Sequence, residues 1–186
     1  MSGLVLVPIY LADGRGLLAD LERRLAAAFG VAVTTRRPWF DPELAFDPSR
    51  GQYDSTHLLA QLLGESSAAH GDGGRVLGVA NVDLFIPVLS YVFGEAQLPG
   101  RAAVISLHRL DPQLYGLPAD PARLAARAEK EAVHELGHTF GLVHCRQPGC
   151  VMRSSTYVEE IDWKTARFCD DCLGAIRGAS SELKAS

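Results

Sequence analysis

One stretch of the chain decides its fold. It runs from His134 to His144 and reads His-Glu-Leu-Gly-His-Thr-Phe-Gly-Leu-Val-His. On a helix, side chains four residues apart leave the same face one turn apart, so His134 and His138 can occupy two corners of a zinc tetrahedron. Glu135 lies one residue further round, where it can reach a metal-bound water without being a ligand. Gly141 can adopt a positive φ, which ends the helix and lets His144 supply a third nitrogen.

Three nitrogen ligands leave one zinc position open, which is typical of a catalytic site rather than a structural one. An amphipathic helix whose histidines fall in register by chance is the alternative interpretation, and a bare pair of histidines would not exclude it. The glycine and the third histidine at the required spacing favour the metal site. The sequence therefore predicts a catalytic zinc held by His134, His138 and His144.

The cysteines of the chain, four in number, follow directly and form two close pairs: Cys145 with Cys150, and Cys169 with Cys172. Pairs so spaced let thiolates converge on one ion, and four thiolates close its coordination shell. The pattern predicts a second, structural zinc, and so two zinc ions per chain. Disulfides or redox thiols are the alternative, although disulfides require an oxidising compartment.

The N-terminal segment and the junction of the two ligand sets bear on this choice. Residues 1–11 have no basic region before their apolar run, and Pro8 interrupts the run, so they indicate a first strand rather than a signal peptide. We therefore expect a cytoplasmic protein with reduced cysteines. Neighbouring side chains in extended backbone point to opposite sides, so His144 and Cys145 can serve different ions. The structural site would then brace the segment that delivers His144.

These residues also carry a resemblance to a known family. The run from His134 to Cys145, then Cys150-Val151-Met152 and Cys169-Asp170-Asp171-Cys172, resembles the archaemetzincins, a branch of the metzincin metallopeptidases. Upstream, similar stretches are Gly78-Val79, Val82-Asp83-Leu84 and Phe93-Gly94-Glu95-Ala96, so the resemblance covers most of residues 1–178.

The resemblance implies a metzincin-like fold and zinc-dependent peptidase activity. It also implies that Met152 belongs to the metzincin Met-turn beneath the catalytic zinc, although an ordinary core methionine would pack in the same way. Metzincins with a tyrosine switch carry a tyrosine two residues after this methionine. Ser154 stands there in this chain, so Tyr157 is not assigned as a ligand.

Length and composition agree with a single metallopeptidase domain over residues 1–186, with an N-terminal part at 1–143 and a C-terminal four-cysteine part at 144–186. The mean hydropathy is +0.06, and no apolar run reaches the roughly 18 residues of a membrane span, so we expect no membrane partner. A net charge of −4 and a balanced cysteine module argue against nucleic acid as a partner. The oligomeric state is left open, and a monomer is compatible with the sequence.

Periodicity predicts an α/β (α+β) fold. Its parts are a mixed, twisted five-stranded sheet with one antiparallel edge strand, a long zinc-binding helix, and a small zinc-braced C-terminal subdomain. The predicted strands are Leu4–Tyr10, Val31–Arg36, Val76–Ala80, Tyr91–Gln97 and Ala102–His108. The predicted helices are Arg15–Phe29, Tyr53–Leu63, Asp120 to about Gly141, and Asp162 to about Ile176. Residues 38–51 are expected to be a loop whose aromatic side chains pack onto the body, 68–74 a turn, and 178–186 a frayed tail. His57 and His70 lack metal-ligand neighbours and are interpreted as structural or exposed.

In metzincins the substrate lies extended along the antiparallel edge strand, which the resemblance places at residues 91–97. An edge strand offers unpaired N–H and C=O groups to an extended peptide, although edge strands also occur without ligands. We therefore expect a peptide or protein substrate there, and Glu95 is left unassigned. The predicted activity is peptide hydrolysis by a zinc-activated water, with Glu135 as general base and then acid. A non-catalytic zinc-binding or interaction module is the alternative, and a carboxylate beside the open position favours catalysis.

Overall fold

The computed structural model describes residues 3–12, 16–64 and 74–182, with side chains up to residue 178. The strands are β1 Leu4–Ile9, β2 Val33–Thr35, β3 Phe46–Asp47, β4 Gln52–Asp54, β5 Arg75–Ala80, β6 Leu84–Ile86, β7 Leu89–Val92, β8 Gly94–Ala96 and β9 Ala102–Ser106. The α-helices are α1 Leu17–Phe29, α2 Ser55–Gly64, α3 Pro121–Thr139, α4 Val158–Trp163 and α5 Asp170–Glu182. Short 3₁₀ turns occupy Pro42–Ala45, His108–Leu110 and Pro112–Tyr115.

The main sheet has five strands in the order β2-β1-β5-β9-β8. Strands β2, β1, β5 and β9 are parallel, and β8 alone runs antiparallel, paired with β9 at the edge. Parallel strands are buried on both faces, and β5 and β9 accordingly have every residue buried. The predicted α/β class, with an antiparallel edge strand, is confirmed.

Alternate residues of the central strands pack into two separate hydrophobic cores, one on each face of the sheet. Leu4, Leu6, Leu77, Val79 and Ile105 face α1, α3 and the C-terminal segment, together with Cys150, Met152 and Ile161. Val5, Val7, Val76 and Val104 face the other way, onto Leu58 and Leu62 of α2. The long helix thus lies on one face of the sheet, with the cysteine module packed against the same core.

A second, four-stranded sheet, in the order β3-β4-β6-β7, was not anticipated from the sequence. The strand predicted at 91–97 is divided at Phe93, so that β7 joins this second sheet and β8 the first. The expected loop at 38–51 contains a 3₁₀ turn and β3. Strands of two to four residues are too short to show an alternating pattern, which is why the sequence did not reveal them.

The C-terminal prediction of one helix from Asp162 to Ile176 was wrong. Lys164 has extended backbone, with φ −87° and ψ 160°, and residues 164–169 separate α4 from α5. This break brings Cys169 close to the other cysteines. The spacing of apolar residues does not reveal such a requirement, so the sequence did not predict the break. Helix α5 continues to Glu182, through part of the segment expected to fray. His70 and most of the turn predicted at 68–74 lie outside the described residues.

Candidate active site

Helix α3 sets the position of the first two histidines. It begins as predicted, with the Asp120 carboxylate accepting a hydrogen bond from the Arg123 amide and Pro121 in the first position. It ends at Thr139, and Gly141 adopts a φ of +90°, the left-handed region expected of it. The chain then turns back and carries His144 to the face of the helix that bears His134 and His138.

The three imidazoles converge on one point. Their ring centroids lie 4.7 to 5.3 Å apart, and one nitrogen from each ring lies within 4.8 Å of the others. The Nε2 atoms of His134 and His138 are 3.1 Å apart. Two corners of a tetrahedron with zinc–nitrogen bonds of 2.0–2.1 Å are separated by about 3.3 Å, so the pair fits zinc closely.

Hydrogen bonds at the other ring nitrogens fix the tautomers. His134 Nδ1 lies 2.8 Å from the Val151 carbonyl, and His138 Nδ1 lies 2.6 Å from the Leu142 carbonyl. A carbonyl only accepts, so each Nδ1 carries the hydrogen and each neutral ring presents a lone pair at Nε2. Two lone pairs that face each other at 3.1 Å repel unless a cation lies between them. The arrangement therefore has the chemistry of a metal site.

Burial sets the protonation of the site. It lowers the pKa of His134 well below its usual range, and the nearby Lys164 ammonium lowers it further. Burial likewise lowers the pKa values of His138 and His144, so all three rings are neutral ligands at pH 7. It raises the pKa of Glu135 well above its usual range, and the neighbouring Glu131 carboxylate adds to the effect.

The four cysteine sulfurs form a second cluster, in which all Sγ atoms lie within 4.8 Å of one another. Cys145 Sγ is 3.8 Å from Cys169 Sγ, and Cys150 Sγ is 3.8 Å from Cys172 Sγ. Sulfurs on a tetrahedron with zinc–sulfur bonds of 2.3 Å are about 3.8 Å apart, whereas a disulfide requires about 2.05 Å. The geometry fits a four-thiolate zinc rather than two disulfides.

The segment from Cys150 to Met152 connects the two clusters. Val151 offers its carbonyl to His134, and the Met152 carbonyl accepts the Cys145 amide at 2.9 Å. The Met152 side chain is fully buried against Gly137, where any larger residue on the helix would collide with its sulfur. The positions of Cys145 and Cys150 are therefore tied through this segment to the position of His134.

Glu135 lies in the cleft wall, where α3 meets β8. Its side chain is buried, and a methyl group built on Gly94 would lie 2.6 Å from its Cγ. One turn earlier, Glu131 forms a buried ion pair with Lys164, whose Nζ is 3.0 Å from Oε1 without a well-directed hydrogen bond. Lys164 also donates to the Arg153 carbonyl, just beyond Met152. The pair thus ties the helix to the loop beneath the histidines.

A buried arginine holds the end of α3. Arg75 Nε donates to Thr139 Oγ1 at 2.7 Å, and its guanidinium lies 3.7 Å from the centre of the Phe140 ring. Burial lowers the pKa of Arg75 to about 10, which leaves it charged at pH 7. A cation at a helix C-terminus is stabilising, so Arg75 fixes the point at which the chain turns toward His144.

A cleft of about 610 Å³ opens over the histidines. One wall is the edge formed by residues 86–98, the floor is α3, and the opposite wall is formed by Ser154, Ser155, Thr156 and Tyr157. A larger cavity, of about 730 Å³, lies at the carboxyl ends of β1, β5 and β9, but its lining includes neither ligand set. The cleft with the convergent nitrogens is therefore the candidate site.

Several residues have positions that the sequence did not define. Glu95 lines the cleft and accepts hydrogen bonds from Ser55 and Thr56 at the start of α2. Glu131 could have been found, since it precedes Glu135 by one helical turn on the same face. Gly94 could also have been found, because a glycine inside a strand often marks a place where another group approaches the backbone closely. Here that group is the Glu135 side chain. Nothing in the sequence pointed to Lys164 or Arg75.

The chain is similar to known proteins in both sequence and structure. The sequence model of peptidase family M54 matches residues 42–178. An archaemetzincin of Pyrococcus abyssi is 43% identical over 178 residues, which cover 93% of each chain. The crystal structure of an archaemetzincin from Methanopyrus kandleri aligns with 97% of this chain and 96% of its own, with a TM-score of 0.83 and 37% identity. A zinc-dependent peptidase from Methanocorpusculum labreanum gives a TM-score of 0.83 and 30% identity, over 94% of this chain and 100% of its own.

In the described part of the chain, no helix has both the length and the apolar character required to cross a membrane.

Proposed function

Because the chain belongs to peptidase family M54, the archaemetzincins, and is a zinc-dependent metallopeptidase, we propose that His134, His138 and His144 hold the ion that serves peptide hydrolysis. The observation that carries this assignment is the pair of Nε2 lone pairs that face each other at 3.1 Å. Zinc bound there with an open position supplies Lewis acidity, which polarises a carbonyl and acidifies water.

Glu135 is the general base and then the general acid. A zinc cation at the neighbouring histidines would favour the ionised form of Glu135 and so oppose the effect of burial on its pKa. The carboxylate takes a proton from the attacking water and returns it to the departing amine nitrogen, so a single group acts in both steps. Two other carboxylates line the cleft, but Glu131 is paired with Lys164 and Glu95 is held by hydroxyl groups. Within the described residues, Glu135 makes no such pairing, and it adjoins the ligand His134.

The substrate is a peptide or protein segment extended along the edge at residues 91–97. Strand β8 pairs with β9 on one side, and its other side lines the cleft. Unpaired backbone groups on such an edge can bind an extended peptide by strand addition. A peptide bound in this way would lie beside Gly94, and therefore beside Glu135.

The four cysteines hold a second, structural zinc. Their sulfur spacing of 3.8 Å suits a closed four-thiolate shell, which contributes folding free energy rather than catalysis. The packing of Met152 under Gly137 supports the proposal that Met152 is the Met-turn residue. Because thiolate ligands must stay reduced, a reducing compartment such as the cytoplasm is the proposed location.

The test is peptide cleavage by zinc-loaded protein beside its Glu135→Ala variant. The variant should keep its fold and both zinc ions while it loses at least the roughly 100-fold contributed by a positioned base. Glu159→Ala, which removes an exposed carboxylate from α4, is the matched control and should cleave at the parent rate. A Glu135→Ala protein as active as the parent would refute the mechanism and favour a zinc-binding module.

A further inference from the structure

One side chain crosses the cleft from wall to wall. Tyr91, at the β7 end of the edge, donates its hydroxyl hydrogen to the Thr156 carbonyl on the opposite wall at 2.7 Å. Both residues line the cleft. We call this contact the Tyr91–Thr156 strap.

The strap is held rigidly on its strand side. The Arg109 guanidinium lies 4.0 Å from the centre of the Tyr91 ring, and Phe93 packs edge-on with ring centroids 5.6 Å apart. Arg109 is itself fixed by two hydrogen bonds of 2.6 Å to the Asp83 carboxylate. A ring clamped between a cation and a buried phenyl group does not rotate freely out of the cleft.

The distance from the strap to the reacting bond follows from the strand geometry. Gly94 marks the point where Glu135 meets the edge, because a Cβ there would lie 2.6 Å from the Glu135 Cγ. Tyr91 stands three positions earlier, and since the chain bends at Phe93, between β7 and β8, the separation is at most about 10 Å at about 3.3 Å per residue. An extended peptide fills that length with about three residues.

At the opposite end, the hydrogen bond from the Gly100 amide to the Thr139 carbonyl, at 3.1 Å, joins the edge to the floor helix. Among the described residues, no hydrogen bond there crosses to the wall at residues 154–157. There the walls finish at Leu98 and near His144, and the neighbouring side chains Leu98 and Val143 are exposed. A long peptide can leave the cleft on that side. The two ends of the cleft therefore impose different limits on a substrate.

We propose that the Tyr91–Thr156 strap closes one end of the cleft and makes the protein an exopeptidase, which removes no more than about three residues from one end of an extended peptide. The proposal rests on the peptidase function proposed above. Each cut breaks one C–N bond and consumes one water, whose hydroxyl goes to the acyl carbon and whose proton goes to the amine. Antiparallel addition to β8, the more stable pairing, would direct the carboxyl end of the substrate toward Tyr91.

The experiment uses the zinc-loaded full chain with a long linear peptide and the same sequence closed head to tail into a ring. Products are identified by mass spectrometry. The parent should trim one end of the linear peptide and leave the ring intact, since a ring has no end to place before the strap. Tyr91→Ala should cut internal bonds and the ring, with the internal rate rising by at least about tenfold, the scale of relieving one steric conflict. Tyr91→Phe loses the hydrogen bond to Thr156 but keeps the aromatic side chain that Arg109 and Phe93 hold in the cleft, so it should still trim ends.

Each outcome either supports or overturns the proposed role of the Tyr91–Thr156 strap. Cleavage of the ring by the parent, or internal cuts as fast as terminal ones, overturns the strap and leaves the peptidase function standing. A parent that cleaves neither peptide overturns both proposals together. Melting temperatures check that the variants fold, and if Tyr91→Ala does not, the parent's action on the ring is still decisive.

Discussion

Replacing Gly94 with alanine should disable catalysis without removing the metal. The new Cβ would stand 2.6 Å from the Glu135 Cγ and 2.8 Å from the Val104 carbonyl oxygen. Carbon atoms in contact lie about 3.5–4.0 Å apart, and the backbone carbonyl of the paired strand cannot yield, so the Glu135 side chain must retreat by about 1 Å. A displacement of that size at a catalytic group can cost about 100-fold in rate.

The assay compares kcat, zinc content and urea unfolding for the parent and Gly94→Ala. We expect both zinc ions to be retained, kcat to fall by about 100-fold, and stability to fall by the roughly 1–3 kcal/mol typical of an overpacked site. Gly174→Ala is the matched control, because that glycine lies in α5 with open space around its Cβ position. It should gain up to about 1 kcal/mol and leave kcat unchanged. A folded Gly94→Ala protein with the parent kcat would refute the placement of Glu135 against β8.

Three further predictions concern stability and metal. Lys164→Met leaves the buried Glu131 carboxylate unpaired and should cost about 3–5 kcal/mol in urea unfolding; a loss below about 1 kcal/mol would mean that the pair behaves like a surface one. The Arg127 guanidinium, which donates to Asp162, lowers the pKa of that carboxyl, so its stabilisation is present above the ordinary aspartate pKa of about 3.9 and is lost as the pH falls below it. Asp162→Asn should therefore be less stable than the parent at pH 7, and the gap should close in acid; a gap independent of pH would contradict this. A chelator should remove one zinc quickly, from the open histidine site, and the second slowly, from the closed cysteine shell; release of both in one phase would count against two separate sites.

The main helices and the central strands could be predicted from the sequence because each has strong local signals. The cap at Asp120-Pro121 and the glycine between the second and third histidines, Gly141, gave both ends of α3. The central strands have largely continuous apolar runs. The second sheet was missed because its strands are two to four residues long and depend on tertiary pairing. The break after α4 was missed because it serves to bring Cys169 beside the other cysteines, a tertiary contact that helix propensity does not encode.

The candidate site was predictable where spacing alone brings ligands together. His134 and His138 are joined by the helix, and each cysteine pair is close in sequence. The supporting contacts join residues far apart in the chain, such as Arg75 with Thr139 and Tyr91 with Thr156. Such pairs leave no periodic trace in a single sequence, so only the folded structure reveals what holds the ligands and what limits the cleft.

The most direct test of the account is the zinc content of His138→Ala, measured on the same sample as its peptide cleavage. Removing one of three nitrogens should empty the histidine site and leave the four-cysteine ion in place. The account predicts one zinc per folded chain and no cleavage above background, beside two zinc ions and full activity in the parent. A folded His138→Ala protein that holds one zinc and cleaves at the parent rate would place the catalytic ion at the cysteines and contradict the account.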